Sequence, residues 1–229
     1  MGFTMKRTVC ILLFLLCGIT SRANAALINF VGEGKVGVVT INSGLGSNLS
    51  VYAGELEWAW AGNPSVFFYT YCVDANHWAQ WTEDVNVEPS STIPNFVPNA
   101  GGKAAWLIST YAPWIHSYGS GDDAAALQVA VWTALYDAGS TLNSGPFTVT
   151  ANSYVTTKAG QYLTALYSAP GGPGTYYTST ALWLDATDGS QGQMPIPSVP
   201  EPASLLLLGS GLFWAAAKTR RWGQPEAKI

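Results

Sequence analysis

The stretch YTYCVDANHW, Tyr69 to Trp78, carries the most distinctive reactive group in this sequence of 229 residues, the thiol of Cys72. The other cysteines, Cys10 and Cys17, fall in an apolar N-terminal run that reads as a removable leader, so the mature chain keeps one thiol. A lone cysteine cannot staple its own domain; it is left for an intermolecular disulfide or for nucleophilic chemistry. A cysteine hydrolase would draw its base from His77 or His116, the only histidines, but no surrounding sequence supports either. No Cys/His spacing fits zinc, and Asp122-Asp123, which could begin a calcium site, stands where helix caps usually stand, so no metal and no cofactor is expected. The second unusual residue is Gln128, inside the apolar run ALQVAVW with Trp132 one turn further on the same face. A buried carboxamide without partners loses about 1–3 kcal/mol, and the simplest partner is a strand backbone.

The elements that must hold these residues follow from periodicity. Residues 27–41 and 49–60 are rich in Val, Ile, Tyr and Trp with near alternation, and INSGLGSN supplies the turn between them. Residues 65–73 read as a third strand, followed by a Pro-punctuated irregular region over 83–99. Helical patterning then begins: a short helix over 103–111 stopped by Pro113, and a longer one capped by Asp122 or Asp123. The apolar stripe of the second is Leu127, Ala130, Val131, Ala134 and Leu135, and Gly139 lies near its C-cap. A third helix is expected over about 152–168 and a strand over 175–186. Strands, then helices, then strand predict an α+β domain, a β-sandwich or barrel with a helical insertion that begins just after Cys72.

Charge excludes several functions. From Ala26 to Glu201 the only basic residues are Lys35, Lys103 and Lys158, against thirteen Asp and Glu. Nucleic acid and anionic membrane surfaces are disfavoured partners, and with no arginine there is no fork for phosphate or carboxylate.

Both ends read as sorting segments. Lys6 and Arg7, the apolar run Val9 to Ile19 and the small-x-small site Ala23-Asn24-Ala25 form a signal peptide over 1–25, cleaved before Ala26. At the other end stand Val199-Pro200-Glu201-Pro202, an apolar stretch from Ala203 to Ala217, and the basic residues Lys218, Arg220 and Arg221. At about 1.5 Å per residue that stretch covers about 22 Å of a hydrocarbon core of about 30 Å, a marginal transmembrane helix with its basic flank cytoplasmic. The three parts together resemble the PEP-CTERM sorting signal. That resemblance implies a Gram-negative bacterium that makes exopolysaccharide, processing by an exosortase near Pro200, Glu201 and Pro202, and a membrane-anchored precursor that passes to the cell surface or extracellular matrix. The expected division is a signal peptide (1–25), a domain (26–187), a linker (188–198), the sorting signal (199–222, helix 203–217) and a cytoplasmic tail (223–229).

The middle of the chain carries a second resemblance. Tyr71-Cys72-Val73-Asp74 in a strand, followed by Leu127-Gln128-Val129-Ala130-Val131-Trp132 on a helix, is similar to the thioester domains of bacterial surface adhesins. The resemblance implies that Cys72 and Gln128 condense with loss of ammonia to a buried thioester, which stabilises the domain and offers it to amine or hydroxyl groups of an exopolysaccharide or surface protein. Many members carry Thr where this chain has Leu127. The implied protein is a covalent adhesin or matrix cross-linker, not a turnover enzyme. The aromatic residues Tyr69, Tyr71, Trp78, Trp81, Trp106 and Trp132 would keep water from such a bond. The alternative is a carbohydrate- or matrix-binding protein without a thioester, whose tryptophans and tyrosines stack on sugars.

Overall fold

The computed structural model describes residues 25–94, 96–169 and 181–197. The leader ahead of Ala25, residues 175–180 of the last expected strand, and the whole sorting signal with its helix 203–217 and tail lie outside the described residues. Strands β1 (Ala26–Ser43) and β2 (Gly46–Trp60) form one long antiparallel hairpin, paired from Ile28↔Trp60 to Ser43↔Gly46. Register shifts between Phe30 and Gly32 and between Glu33 and Val36 add the bends that let so long a ribbon coil. Then come β3 (Asn63–Cys72), β4 (Thr82–Pro89), β5 (Thr148–Thr150), β6 (Leu182–Ala186) and β7 (Gln193–Pro195). The ladder runs β2-β3-β7-β6-β4-β1, and the β1–β2 pairing closes it into a barrel, with β5 attached to the far end of β1 at Thr40–Asn42. Helices α1 (Ala100–Tyr118), α2 (Gly121–Tyr136) and α3 (Ser153–Ser168) are inserted between β4 and β6. The architecture is α+β, a barrel with a helical insertion, as the order of patterns predicts.

Several boundaries differ from expectation for physical reasons. The insertion does not start right after Cys72, because β4 comes first: Val85 and Val87 alternate into a small core with Ile28, Trp58 and Leu184. Pro113 does not stop α1. Ala112 and Ile115 on either side of it are fully buried, and that burial outweighs the cost of about 3 kcal/mol for an interior proline. Helix α2 is capped by Ser120, two and three residues ahead of the expected acids Asp122 and Asp123. The Ser120 hydroxyl accepts the Asp123 N–H at 3.1 Å, and the Asp123 carboxylate accepts the Ser120 N–H at 2.9 Å. The helix ends at Tyr136 with Asp137 as its C-cap, two residues ahead of Gly139.

Helix α2 has no solvent face: every residue from Asp123 to Leu135 is buried. It lies between the barrel and the other two helices, and small residues let it approach. A Cβ on Gly121 would sit 2.3 Å from the Val36 carbonyl oxygen of β1, and one on Gly54 of β2, whose φ is 139°, would sit 3.1 Å from Ala124 Cβ on the helix. Lys35 itself reaches the C-terminus of α1, donating to the Ile115 and His116 carbonyls at 2.8 and 2.7 Å.

The barrel is closed by a segment that composition assigns to a linker. Residues Gln193–Pro195, within the expected linker 188–198, pair with β3 (Cys72↔Gln193, Tyr71↔Met194) and with β6. Gln193 and Met194 are buried, so the folded unit extends beyond residue 187. The Trp58 indole donates to the Thr70 hydroxyl at 3.0 Å, which donates to Gln193 Oε1 at 2.8 Å, so the short strand is fastened by side chains as well as by its ladder. A chain of residues 26–197 is expected to unfold in one cooperative transition, and one ending at residue 187 to lack it, as thermal circular dichroism would read.

Near the start of β4, Glu83 is fully buried and its carboxyl accepts the Gln80 N–H at 3.0 Å. Burial, with a smaller contribution from the negative charge of Asp188, pushes its pKa from 4.5 up to about 7. The native state therefore holds this proton more tightly than the unfolded chain. The associated stability is complete below pH 4.5 and is lost as pH rises through about 7. Glu83→Gln is expected to leave stability at pH 4 unchanged and to raise it by about 2 kcal/mol at pH 8, measured by urea unfolding at both values.

Candidate functional site

Cys72 is the last residue of β3, held on one side by β2 and on the other by β7. Gln128 lies midway along α2, the element buried on all sides. The structure brings the two together. The Cys72 N–H donates to Gln128 Oε1 at 2.9 Å, and Gln128 Nε2 donates to the Cys72 carbonyl at 2.8 Å. The carboxamide thus pairs with the strand end as a neighbouring strand would, and satisfies backbone groups that the β3 ladder leaves open. The expected strand-backbone partner of Gln128 is Cys72 itself.

Three hydrogen bonds fix the sulfur. The Trp132 indole N–H donates to Sγ at 3.3 Å, the Asp74 N–H donates to it at 3.3 Å, and the thiol donates to the Asp74 carbonyl at 2.8 Å. Burial pushes the thiol pKa well above its usual value; the Trp132 and Asp74 hydrogen bonds pull it down by less, and the charge on Asp74 adds to the rise. The group is therefore a protonated, oriented thiol at neutral pH, unlike the exposed, low-pKa thiolates of hydrolases. Neither histidine is a hydrogen-bond partner of the sulfur: His77 Nδ1 lies 2.6 Å from Asp74 Oδ2, and His116 Nδ1 lies 3.1 Å from Glu55 Oε2.

The remaining expected residues fall into distinct places. Tyr71 is buried with its hydroxyl 3.5 Å from Glu55, and Val73 donates its N–H to Gly192. Asp74 organises the turn after β3, accepting from the Asn76 N–H at 2.7 Å and the Tyr136 hydroxyl at 3.1 Å. Leu127 and Ala130 are buried core residues of α2. Among the aromatic residues expected to exclude water, Trp132 and Tyr71 are buried, but Trp78 and Trp81 are 50% and 79% exposed, because the turn that carries them rides on the surface. Tyr69 packs on His116 and Trp106 on Tyr111. Asp123 is committed to its cap and Asp122 faces Asn152, so that pair serves helix ends. Pro200, Glu201, Pro202, Lys218, Arg220 and Arg221 lie outside the described residues.

Two participants have no signal in the sequence. Tyr136, at the C-terminus of α2, donates to Asp74 and accepts the Ala75 N–H at 3.0 Å. Gln191, from the presumed linker, donates to the Asp74 and His77 carbonyls at 2.8 and 3.0 Å. Together they hold the turn that follows Cys72. A cavity of about 580 Å³ opens over the site, with Cys72, Gln128 and Trp132 in its lining and Tyr52, Trp78 and Trp81 at its exposed edge. Among the described residues there is no group of three or more His, Cys, Asp or Glu side chains that could hold a metal, and no helix is long and apolar enough to cross a membrane.

Comparison with known proteins gives one match. Residues 198–221 fit the family described as the PEP-CTERM protein-sorting motif. No curated protein and no solved structure matches the chain. The match agrees with the sorting signal read from Val199 onward. It implies export, a membrane-anchored precursor, an exosortase as the processing partner, and passage to the surface.

Proposed function

We propose that this exported, exosortase-processed surface protein forms an internal thioester between Cys72 and Gln128, which stabilises the domain and supplies an acyl group for covalent attachment to a partner. The observation that carries the reading is the double hydrogen bond between the Gln128 carboxamide and the Cys72 backbone, which keeps amide and thiol side by side away from bulk water. Positioning of this kind is what an amide needs before a thiol can attack it.

The step balances within the site. The sulfur of Cys72 adds to Cδ of Gln128, the Cδ–Nε2 bond breaks, and the nitrogen leaves as ammonia, taking the thiol proton. Burial keeps the proton on sulfur at neutral pH, so that proton must pass to Nε2 as the Sγ–Cδ bond forms. The Cys72 N–H, which donates to Gln128 Oε1, would stabilise the negative charge that develops on that oxygen as sulfur adds, and the Trp132 and Asp74 N–H groups would stabilise the thiolate that leaves when a partner attacks. An amine or hydroxyl of a partner then attacks Cδ, the Sγ–Cδ bond breaks, and sulfur regains a proton. The product is an amide or ester through the former glutamine, in a single event without turnover.

Intact-mass measurement tests the reading. The purified domain is expected to be one ammonia lighter than its sequence and to show no titratable thiol after denaturation. Cys72→Ala and Gln128→Ala are each expected to restore the full mass. If the bond acts as a disulfide does in the chain-entropy model, each variant also loses about 4 kcal/mol of stability. A wild-type protein of full mass with one titratable thiol would sink the proposal.

A further inference from the structure

The cavity over Cys72 and Gln128 has a character that the thioester does not need. Its edge is made of large aromatic side chains turned to solvent: Trp81 is 79% exposed, Tyr52 63% and Trp78 50%. Exposed tryptophan is costly unless something covers it, and three aromatic residues around one mouth form a patch rather than a scatter. Nor are these side chains on a loose loop. Trp81 stands edge-on against Phe30, 5.6 Å between ring centroids, and its carbonyl accepts the Phe30 N–H at 2.9 Å. The turn carrying Trp78 is pinned by Gln191 on the Asp74 and His77 carbonyls and by the Asn76 carboxamide, which accepts the Gly44 N–H at 2.8 Å. The aromatic surfaces are thus set in place before any ligand arrives, which lowers the entropy cost of binding.

The walls identify the ligand class. Among the described residues the lining contains no lysine or arginine, so an anionic ligand would find no counter-charge from them. The three lysines of the domain are occupied elsewhere: Lys35 on carbonyls of α1, Lys103 over the Tyr167 ring and Lys158 over the Tyr162 ring. An alkyl chain would suit uniformly apolar walls, yet the lining includes the side chains of Glu33, Ser50 and Gln80, none of which has a hydrogen-bond partner among the described residues. Flat aromatic faces beside unpaired acceptors and donors, without a cation, match a pyranose, which has an apolar C–H face and a rim of neutral hydroxyls. At about 580 Å³ the space suits a short run of sugar units.

We propose that this cavity is a binding site for a neutral polysaccharide, with Trp78, Trp81 and Tyr52 as stacking surfaces and Glu33, Ser50 and Gln80 as hydrogen-bonding groups. The inference goes beyond the thioester and does not require it.

The test uses the secreted domain with cellohexaose, xylohexaose, maltohexaose and N-acetylchitohexaose as probes and sodium decanoate as an alkyl control, followed by tryptophan fluorescence and saturation-transfer NMR. At least one hexasaccharide is expected to bind with a Kd below about 1 mM. Trp81→Ala and Trp78→Ala are each expected to weaken it at least about tenfold while circular dichroism stays unchanged. Binding is read on the wild-type protein whether or not its mass shows the loss of ammonia, so the mass measurement and the binding measurement fail independently. No binding of any hexasaccharide at about 10 mM, binding that survives both tryptophan replacements, or preference for decanoate would each overturn the proposal.

Discussion

A primary amide buried in the middle of a helix with no solvent face must find two partners inside the protein, and Gln128 finds both on one residue. Its carbonyl and amino groups close onto the N–H and C=O of Cys72, so the centre of α2 and the end of β3 are locked in register to one another. Breaking either contact strands a buried polar group, at a cost of about 1–3 kcal/mol. The rest of the domain is arranged to allow this contact. Gly121 and Gly54 let the helix approach the β1–β2 hairpin, Ser120 starts it at the right height, and Trp132 projects one turn beyond Gln128 to meet the sulfur.

The same economy governs charge. A strongly acidic domain has three lysines, and all three serve internal ends, on helix carbonyls or over tyrosine rings. Buried acids are handled in three ways: Glu83 keeps its proton to near neutral pH, Tyr154 and Ser120 hold Asp123 below its usual pKa despite its burial, and Glu55 faces His116 and the Tyr71 hydroxyl. The edge of the cavity is aromatic, with Tyr52, Trp78 and Trp81 turned to solvent and Glu33 as the one acid in its lining among the described residues.

How much of this the sequence discloses depends on the range over which each signal acts. Cys72 and Gln128 stand out because each is chemically odd in its own neighbourhood, and the long hairpin, α2 and α3 follow from periodicities sustained over many residues. Ser120 is missed as the cap because two adjacent acids look equally suitable, and only the register of the helix shows that Asp123 is the third position of a capping box. Pro113 misleads because its local cost is legible, while the burial of Ala112 and Ile115 that offsets it is a tertiary fact. The strand Gln193–Pro195 leaves hardly a trace: three residues beside glycine and proline have no measurable period, and their role comes from two strand edges brought from elsewhere in the chain. Trp78 and Trp81 read as core by composition alone, since nothing in a sequence says which side of a turn faces water.

That late, short strand also sets an order of events. The chain is exported from its N-terminus, so β1 to β4, the helices and β6 all emerge before Gln193 to Pro195 can join them. Until then β3 and β6 present open edges, of the kind that recruit strands from other chains. Without that strand the sheet is open between β3 and β6. It becomes a barrel only when the last few residues before the 198–221 sorting motif arrive. The residues that complete the barrel stand immediately ahead of the sorting motif, and a chain that stops short of residue 193 keeps two open strand edges with nothing to close them.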